Sequence, residues 1–291
     1  MSQKHKDHFR EKLPKKGQPA ETASGEKESA FKKIRRALKW IDPFTYVDLY
    51  LMPKVNPSGN EWLGIAVYLV SAFVFAWCIY TALGFAFGTG SPMVIVVSGS
   101  MEPLYHRGDV IVLFGANSQN VQAQEVRLDL PSLKDTPFSK IAVPEYVQTP
   151  ETTAGFLLDK IKFSNGKEIG IDRNGSIVVY NSNFTGQPII HRAVAKIRAG
   201  DGYYLLTKGD SINNPTIDQD CGTVYYQDAE KTTPYATEKP CITLYPVPLT
   251  GLQGTAVFQL PAIGCAKLWL FDDLFTLAGT GRLPKDFKGI C

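Results

Sequence analysis

Residues 62–87 read WLGIAVYLVSAFVFAWCIYTALGFAF, a run of 26 apolar or small residues. At a helical rise of about 1.5 Å per residue the run extends roughly 39 Å, which exceeds the bilayer core of about 30 Å. No charged residue stands between Glu61 and Glu102. A buried core helix is the alternative, but core helices rarely run this long without a charge. The stretch therefore predicts one transmembrane helix over 61–88, too long and too far from the N terminus for a cleaved signal peptide.

The charge of the chain divides at this helix. The 291 residues carry 31 Lys+Arg and 28 Asp+Glu, a formal net charge of +3. Residues 1–60 have 13 Lys+Arg against 7 Asp+Glu, whereas residues 61–291 have 18 against 21. Because basic residues stay on the cytoplasmic side, we expect a cytoplasmic N terminus and an extracytoplasmic domain over 89–271, in a single-pass protein of the cell membrane.

The averages also exclude several classes of protein. Charged residues make up 20% and hydrophobic residues 44% of the chain, which excludes a collagen-like, disordered or polytopic membrane protein. The small basic excess argues against nucleic acid as a partner.

The cytoplasmic segment 1–60 is a basic tail that contains one amphipathic pattern. Apolar residues recur at helical spacing among basic ones, at Phe31, Ile34, Leu38 and Ile41. The pattern favours a helix lying on the inner leaflet of the lipid bilayer, and a solvated basic helix is the alternative. Asp42-Pro43 is expected to end this helix.

The outer domain is predicted to be mainly β. Short apolar or alternating runs, typical of strands, cover 93–97, 109–114, 167–172, 176–180, 188–195 and 203–207. Asn174-Gly175 stands between the third and fourth runs and predicts a β-hairpin there. The turn at 199–202 predicts a second strand pair between the last two runs.

Two further segments are harder to assign. Residues 116–160 are polar and interrupted by prolines, so we expect an insertion with local structure at most, acting as a lid or a dock for partners. Residues 254–271 are apolar but broken by Pro261 and Gly264, which favours either a closing core strand with a turn or a hydrophobic rim dipping into the membrane. The tail at 272–291 gives no clear signal.

The cysteines suggest one disulfide and no metal site. Cys221 and Cys241 bracket a polar insert, and a disulfide between them suits an oxidising exterior. The chain has no CxxC or CxxH spacing, so we expect neither a zinc site nor another metal or cofactor.

Three polar clusters in the β domain could carry chemistry. SGSMEP at 98–103 follows a strand, where a serine can be exposed beside free backbone N–H groups, although a plain turn is the alternative. His191 stands in an apolar run, where it serves either as a structural residue or as a base. The loop at 207–220 concentrates Asp and Asn residues; a solvated turn or a weak calcium loop is the alternative, although the loop lacks the spacing of an EF-hand and its Glu at position 12.

Together these clusters resemble the type I signal peptidases, in their archaeal and endoplasmic-reticulum form. SGSMEP with RGDVIVL at 107–113 is similar to the serine box of that family, and IIHRAVA at 189–195 to its histidine box. TKGD…NN…D at 207–218 resembles its acidic box, and GTAVFQLPAIG at 254–264 its final strand and turn. The resemblance covers about residues 60–270.

The resemblance implies a role for each residue. Ser100 would be the nucleophile, and His191 the general base where bacterial relatives carry a lysine. Asp218 would orient His191, although the spacing of the acidic box leaves Asp210 as the other candidate, and Asp210 would otherwise support the site. The N–H of Ser100 and the hydroxyl of Ser98 would stabilise the oxyanion.

The family also implies a fold, substrates and partners. The implied fold is a signal-peptidase-like β domain anchored by one N-terminal transmembrane helix. The implied activity is that of a serine endopeptidase that removes signal peptides from secreted preproteins, with the protein-export channel as a further candidate partner. Two other functions fit the fold: a self-processing regulatory serine protease, and a membrane-anchored binding module without activity. The membrane anchor and His191 favour the signal peptidase.

Overall fold

The computed structural model describes residues 42–221, 223–226, 235–238 and 242–283. The amphipathic helix predicted around 31–41 and the tail beyond residue 283 lie outside these ranges. The chain divides into two compact units, Met1–Ile79 and Tyr80–Cys291, and the boundary falls inside the long apolar helix.

Short helical turns make up the described start of the first unit. The carboxylate of Asp42 accepts a hydrogen bond of 3.0 Å from the N–H of Phe44, so Asp42-Pro43 begins a helix here. Asn56 then exchanges two hydrogen bonds with the backbone of Asn60 and closes the turn before the next helix. The turns are Pro43–Tyr46, Val47–Leu51 (π-helical) and Met52–Val55.

The long helix runs over Glu61–Phe87 and confirms the apolar helix predicted for this segment. Its length and composition allow it to cross a membrane, and most of its side chains are exposed. At its C-terminal end, the Phe87 ring stacks on Phe114 with centroids 4.7 Å apart. The N–H of Gly115 donates to the Phe87 carbonyl at 2.8 Å. The last turn of the helix is therefore fixed to the β domain.

The second unit is built mainly from β-strands, as predicted. The described strands are β1 (Met93–Ile95), β2 (Val110–Phe114), β3 (Gln124–Arg127), β4 (Ala142–Gln148), β5 (Phe156–Phe163), β6 (Glu168–Gly170), β7 (Ile177–Asn181), β8 (Pro188–Ala199), β9 (Gly202–Lys208), β10 (Thr223–Tyr226), β11 (Tyr235–Glu238), β12 (Val247–Pro248) and β13 (Leu252–Leu260).

The main sheet has the strand order β1-β2-β13-β7-β8-β9-β12, with β3 parallel to β8. β4, β5 and β6 form a second sheet, and β10 pairs with β11. The long strand β8 organises the main sheet, because its first half pairs with β7 and its second half with β3. β9 runs along its other edge, and the β8–β9 hairpin predicted at 199–202 is confirmed.

Buried side chains form three clusters in this unit. The largest lies between β8, β9 and the second sheet. Another lies beneath β1 and β2 and includes Met101 and Ile111. The third includes Val178 and Tyr180 of β7. Because burying one large aliphatic side chain contributes about 1.5–3 kcal/mol, these clusters give the β domain a core of its own.

The hairpin predicted at Asn174-Gly175 is wrong. β6 pairs with β5 in the second sheet, whereas β7 pairs with β8 and β13 in the main sheet. A Cβ at Gly175 would collide with the carbonyl oxygen of Ala193, so glycine is needed here for close approach to β8. The segment is held by Arg192, whose guanidinium donates to the carbonyls of Arg173 and Gly175 at 2.8 and 2.7 Å.

The expectation of local structure at most over 116–160 is also wrong. This segment supplies β3, a short helix Phe138–Ile141, β4 and the start of β5. Its apolar residues are spaced too irregularly for a periodicity signal, yet they fill the largest cluster together with residues of β8, at Val126, Leu128, Leu133, Phe138, Ile141 and Leu158.

The interpretation of 254–271 as a closing core strand with a turn is confirmed for its first part, whereas the residues from Cys265 onward are helical. β13 lies between β2 and β7 in the main sheet. A Cβ at Gly264 would lie 2.6 Å from Ile95 Cγ2 and 2.8 Å from the carbonyl oxygen of Gly108, so glycine lets the following turn pack closely. The chain continues in helical turns at Cys265–Lys267, Leu268–Leu274 (π-helical) and Phe275–Thr280. The membrane rim stays a prediction.

Candidate active site

Ser100 lies at the turn that follows β1, with its side chain half-buried. Its chain neighbour Met101 is 0% exposed and is packed in the cluster beneath β1 and β2. Gly99, on the other side, is exposed. The buried methionine thus anchors the backbone while the serine hydroxyl faces outward. The Oγ atoms of Ser98 and Ser100 are 3.3 Å apart.

The turn after the serine is held by one buried carboxylate. Asp109 is 3% exposed and accepts a hydrogen bond of 2.8 Å from the N–H of His106. It also accepts from Gln259 Nε2 at 2.7 Å and from the N–H of Ala262 at 3.0 Å. Asp109 therefore ties the serine turn to the end of β13, which explains why the RGD and QLPAIG segments belong to one site.

His191 lies on β8 and is 2% exposed. Its register partner on β7 is Val178. The Nδ1 atom of His191 is 2.7 Å from Oδ2 of Asp218, which is equally buried. The chain is fixed at this point because the N–H of Asp218 donates to the carbonyl of Thr207 at 2.9 Å. Such a carboxylate holds the imidazole in one orientation and directs Nε2 away from it.

Asp210 lies elsewhere. Its carboxylate accepts two hydrogen bonds from Arg192, of 2.8 Å from Nε and 2.6 Å from Nη2. These hydrogen bonds raise the pKa of the Arg192 guanidinium above its ordinary range. Of the two predicted aspartates, the structure thus brings Asp218 to His191 and Asp210 to the neighbouring arginine.

Gly209 joins the serine and the histidine. A Cβ built on Gly209 would lie 3.1 Å from His191 Nε2 and 2.5 Å from the Ser100 carbonyl oxygen. The same carbonyl accepts a hydrogen bond of 2.9 Å from the N–H of Ser211. The Ser100 backbone and the free nitrogen of His191 are therefore both neighbours of Gly209.

An open cleft of about 520 Å³ lies in front of this group. The serine segment forms one wall and the acidic loop forms the other. The residues that line it are Val97, Ser98, Gly99, Ser100, Glu102, His106, Arg107, Ser211, Asn213 and Asn214. A chain segment that enters this cleft would meet the Ser100 hydroxyl directly.

The two outer cysteines in the described residues, Cys221 and Cys265, are both disulfide-bonded. Cys241, the partner predicted for Cys221, lies outside the described residues. That pairing stays a prediction.

Sequence reasoning missed the residues that support the pair. Tyr180 donates its hydroxyl to Asp218 at 2.8 Å, and Thr207 donates in turn to Tyr180 at 2.9 Å. The available signal was that Tyr180, whose side chain ends in a hydroxyl, follows three apolar residues in the run IVVY. Gly209 was visible only as part of the Lys-Gly-Asp motif, and the spacing could not reveal its close approach to two other segments.

Comparisons with known proteins show which proteins the chain is similar to. No family model matches the chain. A relative from Pyricularia oryzae, named signal peptidase complex catalytic subunit SEC11, is 27% identical over 219 residues, which cover 75% of this chain and 84% of the relative. Relatives of the same name come from Clavispora lusitaniae, 28% identical over 74% of this chain and 85% of the relative, and from Tuber melanosporum, 30% identical over 59% and 67%.

The chain belongs to the SEC11 family of type I signal peptidases, serine endopeptidases that remove signal peptides.

Proposed function

We propose that Ser100 is the nucleophile of this signal peptidase, that His191 is its general base and that Asp218 orients the base. One observation carries the assignment: the buried hydrogen bond of 2.7 Å between His191 Nδ1 and Asp218. It leaves Nε2 as the free nitrogen, on the side where Gly209 separates it from the Ser100 carbonyl.

The reaction follows from these positions. Neutral His191 takes the hydroxyl proton of Ser100 on Nε2 while the serine oxygen bonds to the scissile carbonyl carbon. The imidazolium then gives this proton to the leaving amine nitrogen as the peptide bond breaks, which leaves an acyl-enzyme. Water attacks the ester with the same base, and the serine regains its proton. Asp218 stabilises the imidazolium in both steps.

The negative charge on the carbonyl oxygen needs hydrogen-bond donors. The N–H of Ser100 and the hydroxyl of Ser98 are proposed for this purpose. The distance of 3.3 Å between the two serine oxygens supports the assignment, because the donor would sit beside the atom that attacks.

We propose that Asp210 stabilises the conformation of the site without taking part in the reaction. Its two hydrogen bonds to Arg192 connect the acidic loop with the segment that contains Gly175. Because both carboxylate oxygens of Asp210 are paired with Arg192, we infer that Asp210 does not stabilise the charged form of the histidine.

We propose that the long helix anchors the enzyme in the endoplasmic-reticulum membrane as part of a signal peptidase complex. The N terminus would be cytoplasmic and residues 89–271 would lie in the lumen, where signal peptides of secreted preproteins emerge. The names of the relatives support the complex, and the basic segment 1–60 supports the orientation. The protein-export channel would deliver the substrate.

Cleavage of a model preprotein in membrane vesicles tests the proposal. We expect Ser100→Ala to abolish processing, whereas Ser118→Ala, outside the cleft, keeps it. Processing by Ser100→Ala at the wild-type rate would overturn the nucleophile assignment. Cleavage of the chain itself without added preprotein would instead favour a self-processing protease.

A further inference from the structure

The carboxylate that holds His191 is itself held by a buried tyrosine. Tyr180, on β7, is 1% exposed and donates its hydroxyl to Oδ2 of Asp218 at 2.8 Å. This is the same oxygen that contacts His191 Nδ1. The other oxygen, Oδ1, is buried and has no hydrogen-bond partner among the described residues. Both hydrogen bonds to Asp218 from side chains therefore converge on one atom.

The tyrosine hydroxyl is fixed from behind. Thr207 Oγ1, on β9, donates to it at 2.9 Å. Gln219 completes the arrangement, because its Nε2 donates to Thr207 Oγ1 at 3.2 Å and its Oε1 accepts from the N–H of Thr207 at 3.0 Å. Each hydroxyl in the chain Gln219–Thr207–Tyr180–Asp218 thus has one donor behind it and one acceptor ahead. Polarisation along such a chain strengthens the last hydrogen bond.

The tyrosine stays a donor over the working range of the enzyme. Burial, together with the charge of Asp218, raises the pKa of Tyr180 well above its ordinary value. The hydroxyl therefore keeps its proton wherever the histidine can act as a base.

We propose that Tyr180 is a positioning residue of the catalytic site, which holds Asp218 in place and limits the negative charge that Asp218 presents to His191. The proposal rests on the proposed roles of His191 and Asp218. A hydrogen bond from Tyr180 withdraws charge from the shared oxygen. Without it, the shared oxygen would carry more negative charge, and the carboxylate would stabilise the imidazolium more strongly.

Other charged and titratable groups lie on the strand of the histidine, on the neighbouring strand β9, in the acidic loop and in the serine turn. They are Arg192, Lys208, Asp210, Asp220, Glu102, Tyr105, His106, Arg107 and Asp109. The comparison of variants leaves all of these unchanged, so a shift in the pH profile reports on the tyrosine alone.

The test is the pH profile of preprotein cleavage by the full-length enzyme with Tyr180→Phe. We expect the acid limb of kcat/KM to move up by about half a pH unit, and the plateau kcat to fall about tenfold with KM unchanged. Tyr204→Phe is the matched control, since Tyr204 also donates to a carboxylate, Asp201, at 2.6 Å, in the β8–β9 turn. That variant should keep the wild-type profile.

A second pair of variants covers the case in which Tyr180→Phe does not fold. Thr207→Val removes the donor behind the tyrosine at nearly constant volume, and we expect the same upward shift on a smaller scale. Thr207→Ser keeps a hydroxyl at this position and should therefore keep the wild-type pH profile. A wild-type profile in Tyr180→Phe, or in Thr207→Val where Tyr180→Phe does not fold, would overturn the role of Tyr180.

The failure of the catalytic assignment would look different. If His191→Ala still processed preprotein at the wild-type rate, the proposed mechanism would fall and the role of Tyr180 with it. If His191→Ala is inactive while Tyr180→Phe matches the wild type, only the inference about Tyr180 is overturned.

Discussion

Arg192, the chain neighbour of His191, forms a buried ion pair with Asp210 through two hydrogen bonds of 2.8 and 2.6 Å. The family resemblance offers two aspartates as partners of the histidine, and the structure brings only Asp218 to it. Asp210 neutralises a structural cation, whereas Asp218 is left to contact the imidazole.

The same conservative change at the two aspartates should therefore have different effects. Asp218→Asn should lower kcat by about a thousandfold or more, because an amide cannot stabilise the imidazolium and favours the wrong tautomer. We expect the melting temperature of Asp218→Asn to change little in comparison with this loss of kcat. The measurement is kcat for a preprotein substrate at saturating concentration.

Asp210→Asn should mainly destabilise the fold. Removing one partner of a buried ion pair costs about 3–5 kcal/mol, because the guanidinium of Arg192 is left uncompensated. Denaturant unfolding should show this loss, while the folded fraction at low temperature keeps most of its kcat. An inactive but stable Asp210→Asn together with an active Asp218→Asn would reverse the assignment of the two aspartates.

The close approach at Gly209 predicts a rate effect without loss of the fold. In Gly209→Ala the new methyl group would lie 2.4 Å from Asn214 Nδ2 and 2.5 Å from the Ser100 carbonyl oxygen, so these segments must shift. It would also press on His191 Nε2 at 3.1 Å. Since a displacement of about 1 Å can cost a hundredfold in rate, we expect kcat to fall about that much. Gly170→Ala is the control, because no atom lies within 4 Å of a Cβ at Gly170. Equal kcat values for the two variants would contradict the contact.

Some residues of this site could be predicted from the sequence, and others could not. Ser100 and His191 could be proposed from the sequence because the segments around them resemble the serine and histidine boxes of signal peptidases. The choice between Asp210 and Asp218 could not be made, since loop spacing does not say which carboxylate reaches Nδ1. It took the contact of Asp218 with the Thr207 backbone to fix that geometry.

Gly175 shows why the pairing of β6 and β7 could not be predicted from the local sequence. An Asn-Gly pair between two apolar runs indicates a hairpin when only neighbouring residues are considered. The glycine is instead required by Ala193, a contact over 18 positions that local patterns do not contain. Similarly, the irregular apolar residues of 116–160 gain meaning only when β8 supplies the other side of the cluster.

A partly buried ion pair between Arg107 and Asp273 should hold the C-terminal helical turns to the serine turn. The two side chains are 3.2 Å apart, and Asp273 is 1% exposed. We expect Asp273→Asn to cost about 1–3 kcal/mol in unfolding free energy, between the values for exposed and fully buried pairs, and to raise KM, because Arg107 lines the cleft. Denaturant unfolding and steady-state kinetics give the two values.

The exposed pair of Arg127 and Asp129 provides the comparison. These side chains are 3.4 Å apart but 78% and 91% exposed, so Asp129→Asn should cost less than about 1 kcal/mol and leave KM unchanged. If both substitutions cost the same, the partly buried pair does not hold the C-terminal turns.

The contact between Tyr146 and Asp220 predicts a loss of stability in alkali. The Tyr146 hydroxyl donates to the Asp220 carboxylate, and burial with this hydrogen bond raises the pKa of Tyr146 far above its ordinary value of about 10. The folded protein therefore holds this proton more tightly than the unfolded chain. The resulting stability is complete below about pH 10 and is lost as the pH rises further toward the folded pKa, by about 1.4 kcal/mol per pH unit.

Tyr146→Phe should flatten this decline, because phenylalanine has no proton to lose. The ring contact with Phe156, with centroids 5.3 Å apart, should survive the substitution, so packing is conserved. Denaturant midpoints measured from pH 8 to pH 11 should converge for the two proteins as the pH rises, since the wild type loses its advantage there. Parallel curves over this range would mean that the Tyr146 proton is held no more tightly in the folded protein than in the unfolded chain.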